Sequence, residues 1–221
     1  MNRETYNGEL TLSRFPLDRF LTVDSLGSAS ANFRLEGRYF SWPQAKTSVN
    51  AGIRQLFYKE HEYKDITLQA TLDKTHLRGT MVSKDPDAPL DLVFRGDSLQ
   101  QQYQVGLGGY IGKVDLQALH LMQEPLTMGL KVDLQGFIGE HSAYALKARF
   151  DSLSMADSRK TYTLGSLDID MASDLKKTTL DVKTGDLQLT FRADTSLAGF
   201  GESAGKIAGI VWKQIAGKDI D

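Results

Sequence analysis

Apolar residues recur at every second position over most of this chain, and that period leaves little choice of fold. Ile66, Leu68, Ala70 and Leu72 alternate with Thr67, Gln69 and Thr71. Leu126, Met128, Leu130, Val132 and Leu134 alternate with Thr127, Gly129, Lys131 and Asp133. The same parity links Ala29, Ala31, Phe33 and Leu35, then Leu90, Leu92 and Phe94, and later Tyr144, Leu146, Ala148 and Phe150. Residues two apart in a strand face the same way, so each segment has one apolar and one wet face. About thirteen such segments of roughly 6–10 residues are counted, broken by Gly, Asp, Asn or Pro. Antiparallel sheets tolerate a solvated face and parallel sheets normally do not. The chain is therefore expected to be all-β and mainly antiparallel.

Two stretches break the alternation. Phe15 to Leu21 carries Pro16 where a first helical turn accepts it, with Ser13 as a cap, and predicts a short helix near 15–21. From about Glu202 to Lys218, Ala204, Ile207, Ala208, Val211 and Ile215 follow 3.6-residue spacing. That pattern predicts an amphipathic C-terminal helix. Gly205, Gly209 and Gly217 each weaken it by about 1 kcal/mol, so it needs a surface to lie on.

The strands also repeat. Leu90-Asp-Leu-Val-Phe-Arg-Gly-Asp-Ser98 returns as Leu187-Gln-Leu-Thr-Phe-Arg-Ala-Asp-Thr195. Phe33, Leu35 and Gly37 correspond to Val132, Leu134 and Gly136, and Tyr63 and Leu68 to Tyr162 and Leu167, at an offset of 97–99 residues. A fixed period marks a stacked architecture. The expected organisation is one continuous elongated domain: a first β repeat over 1–100, a second over 101–198 and the helix over 199–221.

Chemistry-bearing motifs are weak. Gly201-Glu202-Ser203-Ala204-Gly205 fits the nucleophile elbow, but no His follows it, so no base can reach Ser203 in the order such hydrolases use; Ser203 fits a helix N-terminal turn instead. Gly106-Leu-Gly108-Gly109-Tyr-Ile-Gly112 resembles a dinucleotide loop, yet Ile111 stands where the third Gly belongs; a tight turn or bulge is expected. His61, His76, His120 and His141 lack metal-ligand spacing and are read as exposed or edge-strand residues. Asp168 and Asp170 share the wet face of one strand. Zero cysteine excludes a disulfide scaffold and thiol catalysis. A net charge of −2 gives no field to draw in nucleic acid. No enzymatic centre, metal or cofactor is expected.

What remains is the apolar face. Alternation fits a closed sandwich or barrel core. It equally fits a sheet curled around an open groove whose apolar lining receives something else. Both need one greasy face.

Several motifs, taken in order, resemble a known family. They are Phe15-Pro16-Leu17-Asp18 with Phe20-Leu21, Ser25-Leu26-Gly27, Leu35-Glu36-Gly37, and Tyr63-Lys-Asp-Ile-Thr-Leu-Gln-Ala-Thr-Leu72. They continue as Asp115-Leu-Gln-Ala-Leu-His-Leu121 with Glu124-Pro125-Leu126, and Gly185-Asp-Leu-Gln-Leu-Thr-Phe-Arg-Ala-Asp194. Their order and spacing over most of positions 8–197 resemble the TamB type of the AsmA-like, repeating β-groove family, in the form found in Bacteroidota. The resemblance implies a long curled sheet, or β-taco, anchored in the inner membrane and crossing the periplasm. It implies a channel carrying phospholipid toward the outer membrane, and links the family to outer-membrane protein assembly with a BamA-type barrel partner. The N-terminal anchor of that family is not in these residues, and Met1 to Tyr6 hold no apolar stretch, so an internal fragment is expected.

On that basis the groove lining would be drawn from Phe33, Leu35, Ile66, Leu68, Leu92, Phe94, Met128, Leu130, Val132, Leu146, Phe150, Leu167, Ile169, Leu189 and Phe191. Phospholipid acyl chains are the expected partner, with adjoining repeats of the same chain at the sheet edges. Ile207, Val211 and Ile215 would plug or dock on the groove. Leu130→Asp or Leu189→Asp is expected to abolish lipid crosslinking without unfolding the sheet. The alternative is an assembly scaffold whose edges template outer-membrane strands by β-augmentation. An outer-membrane barrel shares the alternating segments, but the C-terminal helix and the lack of aromatic girdles argue against it.

Overall fold

The alternation organises a single sheet. A computed structural model describes residues 4–21, 25–39, 44–99, 102–139, 143–157 and 160–196. The strands are β1 (Thr5–Pro16), β2 (Leu26–Arg38), β3 (Lys46–Tyr58), β4 (His61–Asp73), β5 (His76–Ser83), β6 (Leu90–Leu99) and β7 (Gln102–Asp115). They continue as β8 (Leu126–Ile138), β9 (Tyr144–Asp157), β10 (Thr161–Leu164), β11 (Leu167–Ser173), β12 (Thr178–Thr184) and β13 (Leu187–Ala193). One helix, α1 (Leu17–Leu21), follows β1. The strands pair antiparallel in chain order from β1 to β9, then β11, β12 and β13, while β10 pairs only with β9. The sheet curls and does not close. Among the described residues, the main contacts of each strand are with its neighbours in the sheet. A closed sandwich or barrel core is thereby set aside for these residues.

Several expectations need correction. Strands run to 13 or 14 residues in β2, β3, β4, β7, β8 and β9, longer than the apolar segments that announce them. In β2 the extra length comes from Gly27, Ser28 and Gly37 and in β4 from His61 to Asp65, none of which extends the apolar alternation. β1 continues through Pro16, so Ser13 lies inside a strand and cannot cap α1. Gly106 to Gly112 sit within β7 rather than in a turn, and the bulge of that strand falls between Ile111 and Val114. Gly109 adopts φ +144°, and a Cβ there would collide with the Asp91 carbonyl. The predicted C-terminal helix, with Ser203, Ile207, Val211 and Ile215, lies outside the described residues, as does His141.

Strand connections gather at two ends. One end collects α1, the β3–β4 turn, the β5–β6 connection at 84–89 and the β7–β8 connection at 116–125. Asp side chains nucleate two of these. Asp85 Oδ1 accepts from the Asp87 and Ala88 amides at 2.9 and 3.2 Å, and Asp115 Oδ1 from those of Gln117 and Ala118 at 3.0 Å each. Each is a local turn that a short carboxylate closes on its own backbone.

Candidate functional site: one continuous apolar face

Cross-strand partners share a face, so the register reads out the surface directly. One row runs Leu10, Phe33, Ala51, Leu68, Met81, Leu92, Gly109, Val132, Phe150 and Leu167 from β1 to β11. The next row toward one end carries Leu35, Phe94, Leu134, Ile169 and Leu189. Beyond it, Leu146 pairs with Met171, Met171 with Leu180 and Leu180 with Phe191. On the other side, Ile66 and Leu130 continue the face at β4 and β8, with Met128 opposite Val114 and Met155. All fifteen residues named from the sequence as a lining fall on this one face.

The face is unevenly shielded. Leu92, Leu130 and Val132 form a buried cluster at the middle of the sheet, with Met81, Leu107, Met128 and Phe150 packed around it. Toward the margins Leu10 and Leu189 are each 54% exposed and Leu187 is 64% exposed. Gly79 lets the Phe94 ring lie across its own strand, since a Cβ there would enter the ring. Removing a side chain at that point gives the face a flat aromatic floor.

The opposite face is a lattice of charge. Arg34 binds Glu9 at 2.6 Å, Lys46 meets Asp73 at 3.0 Å, and Arg149 lies 3.3 Å from Asp151 and 3.6 Å from Asp168. Lys147 reaches Asp170 at 3.5 Å, so both Asp168 and Asp170 belong to the wet face as expected. Arg78 and His76 grip Asp97 at 2.8 and 2.6 Å. Hydrogen bonds from Arg78 first, then His76, hold the Asp97 carboxyl below its ordinary value. A depression of 440 Å³ on this side is floored by Gly106 and Gly108 between Arg95, Lys131, Asp133 and Arg149. It is a gap in the ion-pair lattice where two glycines leave the backbone bare, and it has neither loop nor helix to cradle a phosphate.

The histidines do not all behave as solvated residues. His76 and His120 are exposed, but the His61 side chain is only 10% accessible and stands beside buried Asp85. Sequence spacing cannot find this pair, because 24 positions and two strands separate the residues. No helix among the described residues is long and apolar enough to cross a membrane. Comparison with protein-family models, curated proteins and solved structures gives no match.

Proposed function

We propose that this chain is a segment of an envelope-spanning groove protein whose apolar sheet face carries phospholipid acyl chains between inner and outer membranes. The observation that carries it is the unbroken apolar face running across strands β1 to β13. A carrier of hydrocarbon needs such a surface. Strands of about 13 residues span roughly 43 Å, and twelve at about 4.8 Å spacing extend close to 55 Å. A phospholipid tail fits such a surface with length to spare, and each buried CH₂ contributes about 0.8 kcal/mol. Movement along a continuous apolar strip needs no catalyst or nucleotide.

The resemblance to TamB-type sequences supplies the biological setting of this proposal: a periplasmic stretch of an inner-membrane-anchored protein, working with a BamA-type outer-membrane partner. β1 and β13 each pair on one side only among the described residues, so adjoining repeats of a longer chain have edges to extend. The same edges favour the second reading, an assembly scaffold for outer-membrane β-barrel strands. Competition by an extended β peptide, without displacement by lipid, would select it.

The test is photocrosslinking from Leu35 and Leu189, both on the apolar face and accessible, against Lys183 and Gln188 on the charged face. Adducts with phospholipid at the first pair alone support the carrier. Leu189→Asp is the clean blocking variant. Leu130→Asp is not, because Leu130 lies in the buried cluster and an aspartate there unfolds the centre of the sheet. Equal labelling of both faces, or none from Leu35 and Leu189, contradicts the proposal.

A further inference from the structure

Where the β3–β4 turn, the β5–β6 connection and the β7–β8 connection converge, His61, Asp85 and Asp87 bring three potential ligand atoms within 4.8 Å of one another. His61 opens β4 while Asp85 and Asp87 lie on the β5–β6 connection, so the cluster exists only in the folded chain. Its charge is not that of a solvated acidic patch: Asp85 is 1% exposed.

The hydrogen bonds around the ring decide its chemistry. His61 Nδ1 lies 3.1 Å from the Ala118 carbonyl oxygen. A carbonyl only accepts, so Nδ1 carries the hydrogen and, in the neutral ring, Nε2 is left with a lone pair. That Nε2 is buried and has no hydrogen-bond partner. It points toward Asp85 Oδ2 at 3.6 Å. The separation is long for a hydrogen bond, whose heavy atoms meet at about 2.7–3.2 Å. It is the separation of two donors that share one ion: bonds of about 2.1 Å at a tetrahedral angle hold ligand atoms roughly 3.4 Å apart.

The carboxylate is held ready for such a partner. Asp85 Oδ2 accepts the Lys64 amide at 2.8 Å and Oδ1 accepts the Asp87 and Ala88 amides, which fixes the group and leaves Oδ2 a further lone pair. Pro86 and Pro89 stiffen the connection that carries both aspartates. The Tyr63 ring stacks edge-on against His61 with centroids 4.5 Å apart, locking the imidazole plane. A metal-ligating His commonly donates its other N–H to a backbone carbonyl, which is the arrangement at Ala118.

We propose that His61 Nε2, Asp85 and Asp87 form a site for one divalent transition-metal ion of the zinc class, which clips the start of β4 to the β5–β6 connection at one end of the sheet. One imidazole and two carboxylates suit Zn²⁺, and leave room for water as a fourth ligand. The site stands apart from the lipid proposal and does not depend on it.

The test uses the untagged full chain, stripped with chelator and titrated with Zn²⁺ by calorimetry and thermal melting, with Co²⁺ as a visible-absorption probe and Ca²⁺ as a control. One Zn²⁺ per chain is expected, with a raised melting temperature. Cobalt should give d–d bands, and the His61 Nε2 resonance should shift in ¹⁵N spectra. His61→Gln and Asp87→Asn should each weaken Zn²⁺ binding at least tenfold. Asp87→Asn keeps the backbone amide that closes the Asp85 turn, so it reports on the ligand even if His61→Gln fails to fold. Absence of saturable binding, unchanged affinity in Asp87→Asn, or Ca²⁺ binding as well as Zn²⁺ would overturn the site.

Discussion

Leu92 and Val132 face each other across Gly109, which pairs with both and places no side chain between them. Two strands of separation, about 9.6 Å at ordinary spacing, are bridged by side chains leaning over the bare backbone. The buried cluster at the middle of the sheet depends on that gap. Among the described residues the main contacts run between sheet neighbours, so curl and missing side chains bring neighbours together.

The gradient of burial along the face predicts unequal costs. Leu130→Ala should lower stability by about 2–4 kcal/mol, since it empties a buried cluster position. Leu189→Ala should cost under about 1 kcal/mol, because its side chain is already half in water. Urea denaturation of both variants checks this, and equal midpoints would place the core elsewhere.

Gly109→Ala should destabilise the centre of the sheet, by strain at φ +144° and by collision with the Asp91 carbonyl. Gly8→Ala and Gly52→Ala are the controls, because open space surrounds both positions. Thermal melts should show a drop of several degrees at Gly109 and little change at the other two.

Asp97 predicts a pH dependence. Its carboxyl is held low by Arg78 and His76, so the folded state favours its charged form. That contribution is complete above the unfolded carboxylate value near 3.9 and is lost as pH falls through the lower folded value. Asp97→Asn should therefore reduce stability near pH 6 by less than about 1 kcal/mol, as suits a solvent-facing network. It should also flatten the acid limb below about pH 4. Denaturant midpoints at several pH values measure both.

Much of the sheet was legible in the sequence because period two survives at the apolar positions of nearly every strand. The face shared by Phe33, Leu92, Val132 and Leu167 follows from that parity alone once neighbouring strands pair in order. Strand length was less legible, since Gly27, Ser28 and Gly37 extend β2 without an apolar signal. Ser13 illustrates the opposite failure: a good cap residue was overridden when β1 continued pairing to Pro16 with Ser28. The surroundings of His61 were hidden for a third reason. Its burial depends on Ala118, 57 residues away, and no local pattern encodes that contact.

The lipid proposal meets its most direct test in native mass spectrometry of the chain purified without detergent, with lipid extracted from the same sample. Phospholipid at near one per chain, lost in Leu189→Asp while the fold is kept, is the predicted result. A monodisperse, lipid-free chain that also takes up no added phospholipid would contradict it.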